Sequence, residues 1–230
     1  MNGMIIAALI AASAAGYGLM YLALRKGRHK KQDYQAFADK QGWQYEQISD
    51  ATRTTIDRFH DPGDSWRLDL VFIGGGTNTV GGFSGSTRRR VEWHCPTGAI
   101  EGEAALGMPL PEKSVNMMRM GGDMGKQILK AALKGTFYAI GETRFTLTID
   151  EASAGDPGGV VMSTPGQEKA MDAFRRNTDL AGFRMGRNAA DVPVVIRNQD
   201  GITLRRQGVV KDLDDLPRLA DLGKSLRGDL

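Results

Sequence analysis

The side chains in this sequence best suited to chemistry are three histidines, His29, His60 and His94, one cysteine, Cys95, and a few carboxylates near them or near one another. His60 precedes Asp61 and Asp64, and an imidazole beside a carboxylate can move protons. Those aspartates also flank Pro62-Gly63, where Asp is a usual turn former, so the segment reads first as a turn. Asp212, Asp214 and Asp215 stand where a helix opens, and the helix dipole favours acidic residues there. His94 and Cys95 are adjacent, and on a strand neighbouring side chains point to opposite faces, which rules out a nucleophile–base pair. One cysteine excludes an internal disulfide, and three scattered histidines match no zinc spacing, so no metal and no cofactor is expected.

Two further segments have the look of sites. The loop GGGTNTVGGFSGST, residues 74–87, gives Gly76 and Gly81 the spacing of a phosphate-binding loop, but Gly82-Phe83 follows where that motif needs Lys and a hydroxyl. A dinucleotide fingerprint needs a helix next, whereas this loop runs into a strand. Gly82-Phe83-Ser84-Gly85-Ser86 lacks the last glycine of a hydrolase elbow. What survives is a loop with free backbone N–H groups, Phe83, and Arg88, Arg89 and Arg90 at its foot, which reads first as a variable hairpin tip with a solvated basic strand end and second as a surface for an anion, a lipid head group or a partner protein. The methionines Met117, Met118, Met120 and Met124 suit a soft metal in principle, but no Cys or His lies near them in sequence, so they read as packing or interface residues.

The elements that must position these residues begin with a membrane anchor. Met4 to Leu24 is a run of 21 residues without a charge; at ~1.5 Å per residue such a helix matches a hydrocarbon core of ~30 Å. Arg25, Lys26, Arg28, Lys30 and Lys31 follow, whereas Met1, Asn2 and Gly3 carry no cation. The excess of cations on the inner side of membranes places the N-terminus outside and the body in the cytoplasm, at a bacterial inner membrane. Ala12-Ser13-Ala14 has the small-residue form of a signal-peptide cleavage site, but no basic residues precede the run and apolar residues continue to Leu24. Ala8, Ala12 and Gly16 recur every four residues, a spacing that lets a second helix approach closely. The basic block serves as a topology signal and as a binder of anionic lipid.

The rest is decidedly polar, since mean hydropathy over the whole chain is −0.32 despite its apolar start. A formal charge of +3 owes much to the juxtamembrane cations, which leaves the body near neutral and without reason to bind nucleic acid. Tyr34, Phe37 and Ala38 extend a helix to a stop at Gly42, and a strand is expected from Trp43 to Ile48. A polar helix is expected near Asp50 to Phe59. Trp66 to Ile73 alternates, with Trp66, Leu68, Leu70 and Phe72 inward, and pairs as a hairpin with Arg88 to Cys95, where Val91, Trp93 and Cys95 face inward. A third strand is expected from Ala99 to Leu106, then a helix from Asp123 to Lys134 and strands at Phe137–Ile140, Arg144–Ile149 and Val160–Met162. Thr164 should cap one helix reaching Asn177. Asp200-Gly201 should turn a hairpin between Val192–Arg197 and Ile202–Gln207, and a last helix should follow the cap Asp212.

Hairpins mixed with separate amphipathic helices predict an α+β fold, mainly antiparallel, behind one transmembrane helix. The expected divisions are 1–31, anchor and basic segment; 32–110, a β-rich part with the Gly-rich loop; and 111–230, an α+β part, the last two forming one body or two. The expected function is that of a non-enzymatic accessory or assembly subunit of a larger membrane complex, with membrane lipids and other membrane-protein subunits as partners. A lipid- or anion-binding module is the alternative. An enzyme of unknown type is the second alternative, to be judged by whether His60, His94 or Cys95 lines a pocket.

Overall fold

The computed structural model describes residues 30–50, 54–74, 77–78, 82–83, 88–110, 112–113, 115–116, 146–188, 191–210 and 212–229. The expected span, the Met-rich segment and the elements expected over 123–140 lie outside them. The chain forms two compact units, Met1–Tyr45 and Glu46–Leu230.

In the first unit a helix, α1, covers residues 30–41. Gly42 ends it at φ 71, a left-handed conformation open to glycine, and Trp43 N donates back to Ala38 O at 2.9 Å. The chain then doubles back so that Phe37 meets Trp43 and Tyr34 meets Tyr45, both edge-to-face with centroids 5.8 and 5.9 Å apart. The helix expected from Tyr34, Phe37 and Ala38 is present, with Gly42 as its stop.

The second unit is an antiparallel sheet with helices. The strands are β1 (Gln44–Ser49, its last four residues in this unit), β2 (Thr54–His60), β3 (Arg67–Ile73), β4 (Thr77–Asn78), β5 (Gly82–Phe83), β6 (Arg88–Cys95), β7 (Glu103–Leu106), β8 (Thr148–Ile149), β9 (Val161–Ser163), β10 (Val194–Asn198) and β11 (Gly201–Gln207). Nine of them form one sheet in the order β1-β2-β3-β6-β11-β10-β7-β9-β8, and β4 and β5 pair separately. The β10–β11 hairpin is thus inserted between β6 and β7. Its turn is the Asp200-Gly201 pair foreseen in sequence, with Gly201 at φ 117 and packed so closely on the Cys95 and Pro96 backbone that no Cβ fits.

One cross-strand row holds the sheet together. Phe59, Leu68, Trp93, Leu204, Val195, Leu106 and Val161 lie side by side in register on seven consecutive strands, and each is 0% exposed. Burying side chains of this size contributes about 1.5–3 kcal/mol each, so this row dominates the core. The last helix, α4 (Asp215–Gly228), covers its middle with Leu216, Leu219, Ala220, Leu222 and Leu226 buried. Gly223 lies directly on the Trp93 ring, with no room for a Cβ. The short helices α2 (Asp172–Arg175) and α3 (Thr178–Arg184) add buried Phe174 and Leu180.

The opposite face changes character along the sheet. At β7–β10 it is apolar: Ala105, Leu110, Val115, Val160, Val194 and Ile196 cluster with Leu147, Ile149 and Met162. At β2, β3, β6 and β11 it is polar.

Several expected elements differ. Residues 54–60 form strand β2, not a helix: β-branched Thr54-Thr55-Ile56 favours extended backbone, and Asp50 closes a hairpin turn instead of capping a helix. Its Oδ1 accepts from Thr54 N at 2.9 Å, and its own N donates to Thr54 O at 3.1 Å. The single helix expected from Thr164 to Asn177 is reduced to a 3-10 turn (Glu168–Met171) and the one-turn α2, and α3 follows as a separate helix from Thr178. Thr164 is drawn instead to β7, donating its N–H to Glu103 O at 2.9 Å, and Gly166 at φ 87 cannot be helical. Asn177 opens a helix instead of closing one, since its Oδ1 accepts from Leu180 N at 2.7 Å. Asp212 turns the chain ahead of α4, accepting from Asp214 N at 3.0 Å, and the helix itself starts at Asp215. The strand expected over Ala99–Leu106 is confined to Glu103–Leu106.

Candidate functional site

The polar face arises from the register that builds the core. Because side chains alternate across the sheet, every residue between two core positions on β2, β3, β6 and β11 must point the other way. Two rows result. In the first, Arg58, Asp69, Glu92 and Arg205 stand abreast. Arg58 holds Asp69 bidentately, Nε to Oδ1 at 2.8 Å and a terminal nitrogen to Oδ2 at 3.0 Å, and also reaches Glu46 at 3.3 Å. The hydrogen bond to Asp69, outweighing partial burial, raises the Arg58 pKa further above its usual value. Glu92 Oε1 lies 2.7 Å from Arg90 Nε and 2.6 Å from Arg205 Nε. Neither N–H points along that line, so these contacts are ionic more than directional.

In the second row His60, Arg67, His94 and Thr203 are in register. His60 Nδ1 lies 2.9 Å from Asp64 Oδ1 and 3.2 Å from Asp61 O. Asp64 reaches back because it sits at φ 52, a left-handed conformation uncommon outside glycine. Asp61 steadies this turn: its Oδ2 accepts from Gly63 N at 3.1 Å and Ser65 Oγ at 2.9 Å, and the Ser65 hydroxyl is the main reason its pKa falls. His94 Nδ1 is 3.1 Å from Thr203 Oγ1. Burial, and next the Arg67 charge, lower the His94 pKa below the ordinary histidine value and so favour the neutral ring.

At the end of these rows is an open pocket of ≈ 390 Å³ lined by Glu46, Arg58, His60, Asp64, Trp66, Arg67, His94 and Pro96. Two of the three residues proposed as discriminators for a chemical site therefore share a pocket. The third does not: Cys95 faces the core, 0% exposed, its Sγ donating to Ser65 O at 3.2 Å, and burial pushes its thiol pKa up. Among the described residues no three His, Cys, Asp or Glu side chains converge as a metal site.

The residues singled out in the sequence stand elsewhere. Ala8, Ala12, Gly16, Arg25, Lys26 and Arg28 lie outside the described residues, and among the described residues no helix is long and apolar enough to cross a membrane. Lys30 and Lys31 lie in α1, both exposed, with Lys30 Nζ 4.9 Å from the centre of the Tyr34 ring. Phe83 belongs to the small β4–β5 ribbon, its backbone paired with Thr77. The three arginines at the foot of that loop are not equivalent. Arg88 and Arg89 are exposed, Arg89 lying 5.2 Å over the Phe72 ring, whereas Arg90 is turned onto Glu92. Phe72, expected inward, is 37% exposed, and Asp69, expected outward, is 6% exposed beneath Arg58.

The pocket itself was not foreseen. The expected β3–β6 hairpin already sets Arg67 opposite His94, but a helix at 50–59 kept His60 off the sheet. No protein-family model, curated protein or solved structure matches this chain.

Proposed function

We propose that this chain is a single-pass membrane protein whose body works in the cytoplasm as an accessory or assembly subunit of a larger membrane complex. The observation that carries the reading is the uncharged run Met4–Leu24 followed at once by Arg25, Lys26, Arg28, Lys30 and Lys31. Ala8, Ala12 and Gly16 give that run one face of small residues, against which a partner helix packs. Among the described residues, Lys30 and Lys31 of the basic block already belong to the helix α1. The anchored chain should stay in the membrane pellet after alkaline extraction, and protease added to inverted membrane vesicles should digest its body. Purified in mild detergent, a tagged chain should bring a second membrane protein with it. Release by alkali would contradict the anchor; recovery of the chain alone, even after crosslinking, would contradict the subunit role.

A second reading, a module that binds the anionic membrane surface, is favoured by exposed Arg88 and Arg89 at the loop end of the β3–β6 hairpin. Binding of the protein to anionic vesicles should then fall with salt.

A further inference from the structure

We propose that the pocket on the polar sheet face binds a phosphoryl group, seated over the Arg67 guanidinium between the His60 and His94 rings. The site stands independently of the membrane anchor. Arg67 occupies the centre of the row, one strand from each imidazole, and at a strand spacing of ~4.8 Å the two histidine backbones are separated by about 10 Å. A phosphoryl group with a hydrogen bond of ~2.8 Å on either side spans about 8 Å, which fits within that separation.

The partners of each side chain decide which of them is left for a ligand. Arg58 is committed to Asp69 and Glu46. Arg67 meets Asp69 only at 3.6 Å, on a carboxylate that already accepts two hydrogen bonds from Arg58. Nε2 is the ring atom each imidazole has for a ligand: His94 is held at Nδ1 by Thr203, and His60 Nδ1 donates to Asp64 and Asp61 O, so His60 Nε2 donates to an anion only in the imidazolium form. Two rings held by their other nitrogen, flanking a guanidinium with a forked set of donors, suit an anion with three or more acceptor oxygens better than a carboxylate with two. Trp66 and Pro96 supply apolar wall, and ≈ 390 Å³ leaves space for an organic substituent on the phosphate.

The charges that face the His94 ring make binding pH-dependent. Arg67 on β3, Arg58 on β2, Asp69 on β3 and Asp200 in the β10–β11 turn act on it, and His60, Asp64 and Glu46 line the same pocket. In the empty pocket burial and Arg67 disfavour the imidazolium. An oxyanion over Arg67 offsets that guanidinium and favours it, so the anion is bound together with a proton.

The test is calorimetric titration of the full-length protein in detergent with inorganic phosphate, acetate and sulfate. Phosphate should bind at pH 6 with Kd on the order of 1 mM or tighter, and acetate at the same concentration should not compete. Sulfate, whose charge is constant between pH 6 and pH 8, should bind at least fivefold tighter at pH 6, with proton uptake visible as a dependence on buffer ionisation heat. Arg67→Gln and His94→Gln should each weaken phosphate at least tenfold; near-ultraviolet circular dichroism should report an unchanged fold. Absence of saturable phosphate binding up to 20 mM would overturn the proposal. So would full binding by a folded Arg67→Gln variant, or acetate competing as well as phosphate. A sulfate affinity equal at the two pH values would remove the His94 role.

Discussion

Replacing Gly223 by alanine sets two effects of opposite sign against each other. Inside a helix Gly is worse than Ala by about 1 kcal/mol, because it loses more backbone freedom on folding, so propensity alone predicts stabilisation. The structure predicts the reverse. A Cβ at Gly223 would overlap three atoms of the Trp93 ring, closer than any real Cβ approaches another atom. Trp93 cannot yield, being 0% exposed and wedged between Leu68 and Leu204 in the central row. The helix must therefore retreat by roughly 1 Å to restore a carbon–carbon contact of ~3.5–4 Å. That retreat loosens Leu216, Leu219 and Leu226 as well. Overpacking of a tight core costs about 1–3 kcal/mol and occasionally more; with several side chains moving together, about 3 kcal/mol is a fair figure, and net destabilisation of roughly 2 kcal/mol remains. For a body of this size each kcal/mol shifts Tm by about 2–4 °C. Tryptophan fluorescence during thermal unfolding should show Gly223→Ala melting some 4–8 °C lower. Gly182→Ala in α3, where nothing lies within 4 Å of the added carbon, should instead gain up to about 1 kcal/mol. If Gly223→Ala melts at or above the parent temperature, α4 does not lie on Trp93 and the account of the core is wrong.

Four further outcomes follow from particular residues. Arg184 is 9% exposed, donates to Gly107 O and Gly158 O at 3.0 and 2.8 Å, and burial pushes its pKa down to about 10. Arg184→Met abandons one buried and one half-buried carbonyl, at up to ~1–3 kcal/mol each, but also relieves roughly 3 kcal/mol of buried charge, so denaturant unfolding should show a net loss within about 2 kcal/mol, while Arg184→Ala, which also leaves a cavity, should lose at least ~3. The Cys95 thiol should ignore a thiol reagent in the native protein and react fully once unfolded; native reaction at the rate of a free thiol would place it elsewhere. The folded-state pKa of His94 lies below its unfolded value, so the unfolded chain binds more protons and stability is lost as pH falls below about 6.5; in a buffer free of phosphate and sulfate, Tm should drop between pH 7 and 5.5, and His94→Gln should flatten the drop. Vesicle binding should weaken on replacing Arg88 and Arg89 by Gln, whereas Arg90→Gln should chiefly lower thermal stability, because Arg90 is held by Glu92; equal effects on binding would refute that distinction.

The parts of the fold that were readable from sequence were those where one local rule sufficed. Alternation in 66–73 and 88–95 gave both strands and their pairing, Asp200-Gly201 gave the inserted hairpin, and Gly42 gave the stop of α1. Where tertiary partners override a local signal, the reading went astray. Asp50 and Thr164 both stand where a helix is expected to begin, and each spends its hydrogen bonds on a strand, Asp50 on Thr54 and Thr164 on Glu103. The insertion of β10–β11 between β6 and β7 has no local signature at all, since it joins residues about a hundred positions apart. The pocket was half legible: pairing β3 with β6 brings Arg67 beside His94, but His60 joins them only once 54–60 is a strand. Its β-branched Thr54-Thr55-Ile56 was the available signal.

The subunit role rests on the small-residue face of the uncharged run, and crosslinking in intact membranes addresses it most directly. A photoreactive residue in place of Ala12, on the row with Ala8 and Gly16, should join the chain to one discrete partner, while the same residue at Ile10, about 160° away at helical spacing, should react with lipid alone. Equal or absent protein adducts from the two positions would contradict the claim that this run packs against another helix.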